Sequence, residues 1–141
     1  MKVNDFFVGQ TFITKSLELT KEDITSFATE FDPQYMHLDE EKAKKGRFNG
    51  IIASGIQTLA VSFKLWIETG SYGDDVIAGT AFNNIKFVKP VYPGDVLYNK
   101  VKVIDVEEKK NETGLVTVKF STFNSKEELV FEGDLTALVK K

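Results

Sequence analysis

The sequence lacks cysteine and contains a single histidine, His37. Without cysteine the chain forms no disulfide and offers no thiolate nucleophile. One histidine also rules out a histidine-rich metal site within the chain. Because a glycine loop that could cradle phosphates is missing too, we expect neither a metal nor an organic cofactor. Any acid–base chemistry by an imidazole must run through His37.

Positive charge is not in excess, and no apolar run is long enough to cross a membrane. The 18 Lys and Arg against 21 Asp and Glu leave a net charge of −3, so nucleic acid is not an expected partner. The most apolar stretch, residues 51–67, is interrupted by polar residues, whereas a spanning helix needs about 20 predominantly apolar ones. No signal peptide is visible at the N-terminus, so we expect a cytoplasmic protein without a membrane partner.

The pattern of helix and strand signals predicts the fold class. The 141 residues suit one domain, and no linker or repeat divides them, so we expect a single domain over residues 1–141. Residues 18–70 are mostly helical in pattern and residues 80–140 mostly strand-like. A run of helices followed by a run of strands predicts an α+β fold with an antiparallel sheet.

Two capping signals mark helices in the first half. Thr20 is followed three residues later by Asp23, which is the spacing of a capping box, and the apolar residues that follow predict an amphipathic helix over Lys21–Phe31. Pro33 restricts the residue before it to extended geometry, so that helix should stop there. Asp39 predicts the N-cap of a second, short helix.

The apolar stretch at residues 51–67 predicts a long central helix. The apolar positions with helical spacing are Ile56, Leu59, Ala60, Phe63, Trp66 and Ile67, and Val61 and Leu65 widen the face. A helix that is apolar over most of its circumference belongs inside a fold. Strand patterns follow over residues 82–89, 101–106, 116–120 and 129–139. Because one face of that sheet must be buried, a curved sheet wrapped around the helix is the economical arrangement.

The segment that links the first two helices carries the strongest chemical signal. Asp32 and His37 lie five residues apart on an expected loop, where a carboxylate and an imidazole can converge on one small reactant such as water. The same spacing also arises by chance, and a lone histidine near a helix cap is often an ordinary packed or exposed residue.

A second candidate lies at the start of the long helix, at Ala53, Ser54 and Gly55. The first amides of a helix are unpaired and lie at the positive end of its dipole, so they can stabilise an oxyanion. The alternative is that Ser54 is simply an N-cap and Gly55 a packing glycine. The segment 89–95, with two prolines, is interpreted as a turn that ends a strand.

Three strings together resemble the MaoC-like dehydratase family, whose members include the (R)-specific enoyl-CoA hydratases. They are FDPQYMHLDEEKA at residues 31–43, GIIASG at residues 50–55 and FVKPVYPGD at residues 87–95. The resemblance runs from about residue 5 to the C-terminus. It implies a hot-dog fold, a curved antiparallel sheet around one long helix, and a homodimer or higher homo-oligomer in which two sheets join edge to edge.

The resemblance also implies a reaction and roles for individual residues. The family's catalytic Asp and His fall on Asp32 and His37, and the glycine whose backbone N–H forms the oxyanion hole falls on Gly55. These residues would add water to C3 of a trans-2-enoyl thioester, or dehydrate a 3-hydroxyacyl thioester, carried by coenzyme A or acyl carrier protein. We expect Gln34, Ala53 and Ser54 to contact the substrate.

The sequence departs from the family at two places. Many hydratases carry Asn two residues after the catalytic Asp, where this chain has Gln34. A serine of some hydratases aligns with Phe63 here, and a bulky Phe63 or Trp66 is expected to shorten the acyl tunnel. The departures leave a non-catalytic acyl-thioester-binding protein as an alternative function. A thioesterase would need a carboxylate on or near the central helix, where the only acid, Glu68, lies at the wrong end.

Overall fold

Five strands form one antiparallel sheet in the computed structural model, which describes residues 1–141. The strands are β1 (Thr11–Glu18), β2 (Val76–Phe87), β3 (Val96–Lys109), β4 (Thr113–Phe123) and β5 (Leu129–Lys140), in the spatial order β1-β3-β4-β5-β2. Strands β1 and β2 are therefore the two edges of the sheet.

The helices lie between β1 and β2 in the chain. They are α1 (Lys21–Phe31), α2 (Tyr35–Leu38), α3 (Glu40–Lys44) and α4 (Gly55–Ile67). The predicted capping box of α1 is confirmed, because Thr20 Oγ1 accepts from the Asp23 amide at 3.1 Å and the Asp23 carboxylate accepts from the Thr20 amide at 3.0 Å. Asp39 caps α3 as predicted. None of the helices combines the length and apolarity that crossing a membrane requires.

Helix α4 packs on one face of the sheet and contacts β1, β3 and β5. Leu65 and Trp66 on α4 are buried in one cluster with Val101 of β3, Phe120 of β4 and Phe131 of β5. The predicted α+β architecture, an antiparallel sheet wrapped around one long helix, is confirmed. The helix begins at Gly55, so residues 51–54 lie outside it and lead into it.

The buried face of α4 differs from the predicted one. Val61, Leu65 and Trp66 are buried as predicted, but three polar residues share that face: Gln57, Thr58 and Ser62. The apolar residues Ile56, Phe63 and Ile67 lie outward and are 51%, 39% and 40% exposed. Periodicity alone could not distinguish the two sides, because α4 is apolar around most of its circumference.

Hydrogen bonds explain why the polar side of α4 faces the sheet. Ser62 Oγ lies 2.6 Å from Thr122 Oγ1 and donates to the Thr58 carbonyl at 2.7 Å, and Asn99 Nδ2 donates to the Ser62 carbonyl at 3.1 Å. Ser62, Asn99 and Thr122 have no solvent exposure. Buried polar groups are tolerated when they are paired in this way.

Strand β2 begins at Val76, six residues before the predicted start at residue 82. All of its residues are exposed or half-buried, so it lacks the alternation of buried and exposed positions that marks a strand in the sequence. Beyond β2, the predicted turn at residues 89–95 is present. Gly94 adopts a φ of +90°, and the Asp95 carboxylate accepts from the Tyr92 amide at 2.9 Å.

Candidate active site

Asp32 and His37 come together beside the first turn of α4. Asp32 is the C-cap of α1, and its backbone (φ −151°, ψ 70°) lies outside the helical region, which the following Pro33 disfavours. His37 lies on α2, a single helical turn, so the expectation that it sits on a loop was wrong. The turn is too short to show a helical period in the sequence, yet it brings His37 back towards Asp32. His37 is buried, with 5% of its surface exposed.

The imidazole of His37 is held at both nitrogens. Nδ1 lies 2.7 Å from the carbonyl oxygen of Ile52, and Nε2 lies 3.1 Å from Oδ2 of Asp32. A carbonyl oxygen can only accept, so Nδ1 carries a hydrogen. The contact between Nε2 and Oδ2 then also needs a proton between them. The pair can therefore share a proton and pass it to a bound reactant.

The carboxylate of Asp32 accepts hydrogen bonds from three side chains. The Ser54 hydroxyl donates to Oδ2 at 2.6 Å, and Gln34 Nε2 donates to Oδ1 at 2.6 Å, in addition to the His37 contact. The Ser54 hydrogen bond, helped by Gln34 and by the charge of His37, holds the pKa of Asp32 below its ordinary value against the opposing effect of burial. Asp32 is therefore ionised at neutral pH.

Ser54 joins this carboxylate to the start of α4. Its side chain accepts from the Ile56 amide at 3.2 Å as the N-cap of the helix, while its hydroxyl hydrogen points to Asp32. The amide of Gly55, which lies between Ser54 and Ile56, donates no hydrogen bond within the chain. The helix thus presents one free N–H group at its positive end, next to the Asp32–His37 pair.

A cleft of about 560 Å³ opens at this point. All six of the predicted site residues line it: Asp32, Gln34, His37, Ala53, Ser54 and Gly55. Phe63, Trp66 and Glu68 do not line it, so the expected shortening of an acyl tunnel by Phe63 or Trp66 is not seen. The structure gathers no group of three or more acidic or histidine side chains that could bind a metal ion.

Several lining residues were not foreseen from the sequence. They come from α2, the loop before α4, α4 itself, the end of β2, and β5: Met36, Phe48, Ile52, Thr58, Phe87 and Val130. The three strings that carry the family resemblance contain Met36, Ile52 and Phe87, but they assigned no role to these residues, and the segment 89–95 was interpreted as a turn that ends a strand. The remaining residues are brought together by the packing of distant segments, which leaves no local pattern.

Ser54→Ala should lower the free energy of unfolding by about 1–2 kcal/mol at neutral pH, because a helix N-cap is lost. The pKa of Asp32 should also rise towards its ordinary value. A carboxyl whose pKa is lowered by folding stabilises the fold above its unfolded pKa, and that contribution is lost as the pH falls through the folded pKa. The stability difference from wild type should therefore shrink below the ordinary Asp pKa of 3.8.

Urea unfolding at a series of pH values checks this expectation. Ser125→Ala, at an exposed serine without a hydrogen bond, provides the control and should leave the stability unchanged. A difference between Ser54→Ala and wild type that does not vary with pH would show that Ser54 acts on the helix alone and not on Asp32.

Comparisons with known proteins place the chain among relatives of one kind. The sequence profile described as "MaoC like domain" matches residues 5–124. YdeM of Bacillus subtilis, itself described as uncharacterized, is 64% identical over 141 residues, the full length of both chains. The 3-hydroxyacyl-thioester dehydratase Z of Mycobacterium tuberculosis is 30% identical over 102 residues, which make up 71% of this chain and 68% of that protein.

Solved structures give the same result for the fold. The crystal structure of the MaoC-like dehydratase from Rhodospirillum rubrum superposes with a TM-score of 0.92 at 30% sequence identity. The match covers 100% of this chain and 97% of that one. The fold is thus that of an experimentally determined structure with a similar sequence.

Proposed function

Because the chain belongs to the MaoC-like dehydratase family and has its hot-dog fold, we propose that it is a hydro-lyase acting on acyl thioesters. It would hydrate trans-2-enoyl thioesters and, in reverse, dehydrate 3-hydroxyacyl thioesters of coenzyme A or acyl carrier protein. The observation that carries the proposal is the Asp32–His37 pair, 3.1 Å apart on the wall of the same cleft as the free Gly55 amide.

The Asp32–His37 pair would handle the proton of the reaction. A water molecule bound against the pair gives up one proton to it while the water oxygen bonds to C3 of the enoyl group. The proton that the pair holds is delivered to C2, so one water adds across the double bond and the pair returns to its starting state. Oδ1 of Asp32 accepts a hydrogen bond only from Gln34, so it keeps an acceptor position for that water.

The start of α4 would stabilise the charge that develops on the thioester. As the C3–O bond forms, electrons move towards the thioester oxygen, which becomes enolate-like. The Gly55 amide, free of internal partners at the positive end of a 13-residue helix, would donate to that oxygen. Ser54 would hold the Asp32–His37 pair and the Gly55 amide in a fixed relative position, because it caps the helix and contacts Asp32.

Incubation with a short trans-2-enoyl-CoA, followed by the loss of enoyl absorbance, tests the proposal directly. Turnover of enoyl thioesters with formation of the 3-hydroxyacyl product is the expected result. One observation favours the alternative of a non-catalytic acyl-thioester-binding protein, namely that Asp32 already accepts from three side chains. Saturable binding of acyl thioesters without turnover, for short and medium chains on coenzyme A and on acyl carrier protein, would refute the hydratase proposal and support the binding protein instead.

The exposed edge of the sheet supports a homodimer. Strand β2 has no neighbour on one side, and its apolar residues Ile77 and Ile85 are 47% and 39% exposed. The outward face of α4 also carries exposed apolar side chains. An unpaired, apolar edge of this kind invites pairing with a second strand. We therefore place a second copy of the chain along β2.

The molecular mass in solution, measured by light scattering, should be twice the 15.8 kDa of one chain. Placing lysines at both positions, Ile77→Lys with Ile85→Lys, should shift the protein towards the monomer, because charges on an edge strand oppose pairing. Ile13→Lys on the opposite edge, at a residue 59% exposed, is the matched control and should leave the mass unchanged. Dissociation by the control alone would place the interface on β1.

A further inference from the structure

The Phe87 side chain lies directly on Gly55. A Cβ atom added to Gly55 would come within 2.7 Å of the Cδ1 and Cε1 atoms of the Phe87 ring, so the ring packs against the bare Cα of the glycine. The other contact of the ring is Phe131, whose ring centroid is 6.0 Å away and which is fully buried. The residue is nevertheless 55% exposed, so the ring lies at the surface with Gly55 beneath it.

A β-bulge brings the ring to this position. Phe82 and Phe87 both pack against Phe131, although they are five residues apart on β2 and a regular strand would place them on opposite faces. Their partners on β5, Leu135 and Phe131, are four residues apart, so β2 contains one extra residue. The register shift lies between residues 83 and 86.

Asn84 forms the extra residue. Its φ of +54° is in the left-handed region, which asparagine tolerates better than most side chains, and its Nδ2 donates to Asp134 Oδ2 at 2.7 Å. Bulges commonly re-aim a side chain next to an active site. Here the bulge reverses the alternation of β2, so that Phe87 faces the cleft and not the outer surface.

We propose that the bulge at Asn84 aims the Phe87 ring onto Gly55, where the ring shields the free Gly55 amide from water and makes Phe87 a positioning residue for the thioester oxygen. The inference rests on the proposed hydratase function. A donor strengthens its hydrogen bond to a developing oxyanion when water is excluded from it. Because the ring acts through the Gly55 amide, its effect should appear in kcat more than in KM.

Removing the ring should lower kcat for a short enoyl-CoA. Loss of an oxyanion donor costs about 10²–10³-fold, so exposing one to water in Phe87→Ala should cost about tenfold, with a smaller change in KM. Phe87→Leu, which restores an apolar cover, should recover most of that loss. Phe7→Ala, at a residue 62% exposed and distant from the cleft, is the control and should match the wild type.

The bulge is tested at Asn84. Asn84→Val disfavours the positive φ and should reproduce the loss seen in Phe87→Ala, whereas Asn84→Gly should keep the bulge and recover the activity. Asn111, with a φ of 62° in the turn between β3 and β4, is the matched control. Asn111→Val carries the same strain and should lower the melting temperature without lowering kcat.

Hydrogen exchange of the Gly55 amide, followed by NMR, gives a readout that does not depend on turnover. Exchange should be about tenfold faster in Phe87→Ala and in Asn84→Val than in the wild type, because this amide has no internal acceptor and both variants remove the proposed cover. Unchanged exchange of the Gly55 amide in the variants overturns the inference. If the wild type is an active hydratase, an unchanged kcat in Phe87→Ala overturns it as well. If the wild type shows no hydratase activity but the Gly55 amide still exchanges faster in the two variants, the proposed function is refuted and the shielding by Phe87 stands.

Discussion

Asp32→Asn should reduce kcat for hydration of a short enoyl-CoA by about 10²–10⁴-fold, the range that a general acid–base group contributes. Asparagine keeps the size of the side chain and can still accept from Ser54, but it cannot accept the proton of a water molecule. His37→Ala should cost a similar factor, because the proton shared between Nε2 and Oδ2 is lost. KM should change less than kcat in both variants, since neither group is needed to hold the acyl chain.

The losses of kcat in Asp32→Asn and His37→Ala should not multiply when the two substitutions are combined. Because one proton is shared between the two side chains, removing either partner disables the pair, and the double variant should be about as slow as the slower single variant. Asp39→Asn is the control, since asparagine caps a helix as well as aspartate does and Asp39 lies outside the cleft. Wild-type rates in both single variants would remove Asp32 and His37 from the mechanism.

Gly55→Ala should lower kcat by about 10²-fold, the lower end of what the loss of one oxyanion donor costs. The new Cβ would lie 2.7 Å from the Phe87 ring, so either the ring or the first turn of α4 must move. The fold itself should not suffer greatly, because alanine favours a helix by about 1 kcal/mol over glycine and offsets part of the strain. Activity and stability should therefore separate in this variant.

Combining Gly55→Ala with Phe87→Ala tests the steric cause. Once the ring is gone, the added methyl group has room, so the double variant should have about the activity of Phe87→Ala alone. Steady-state kinetics and thermal unfolding of the four proteins complete the cycle. Losses that multiply in the double variant would show that Gly55→Ala acts on the helix amide by a route other than the Phe87 ring.

The first half of the chain could be predicted well because its signals are local. The capping box at Thr20 and Asp23 and the break at Pro33 determine where α1 begins and ends, and the structure agrees with both. The proximity of Asp32 and His37 followed from the short segment between them. Their functional roles came from the resemblance to a family and remain predictions.

The second half shows what local patterns cannot provide. The sequence of α4 is apolar on both sides, and the choice of the Ser62 side as the buried one depends on Asn99 and Thr122, which lie far away in the chain. The first six residues of β2 were not predicted because an exposed edge lacks the alternation of a half-buried strand, and its bulge at Asn84 left no pattern in the sequence. The contact of Phe87 with Gly55 could be found only in three dimensions.

The buried hydrogen bonds of Ser62 have a consequence for how accurately the site is assembled. Apolar side chains tolerate sliding, but a helix that moved by one turn along the sheet would leave the Asn99 side-chain amide and the Thr122 hydroxyl without their partners on α4, which is costly in the interior. These hydrogen bonds therefore oppose any movement of α4 along its own axis. They fix the position of the middle of α4 on the sheet, and the rigid helix then fixes the position of its first residues, where the Ser54 hydroxyl lies 2.6 Å from Asp32 Oδ2.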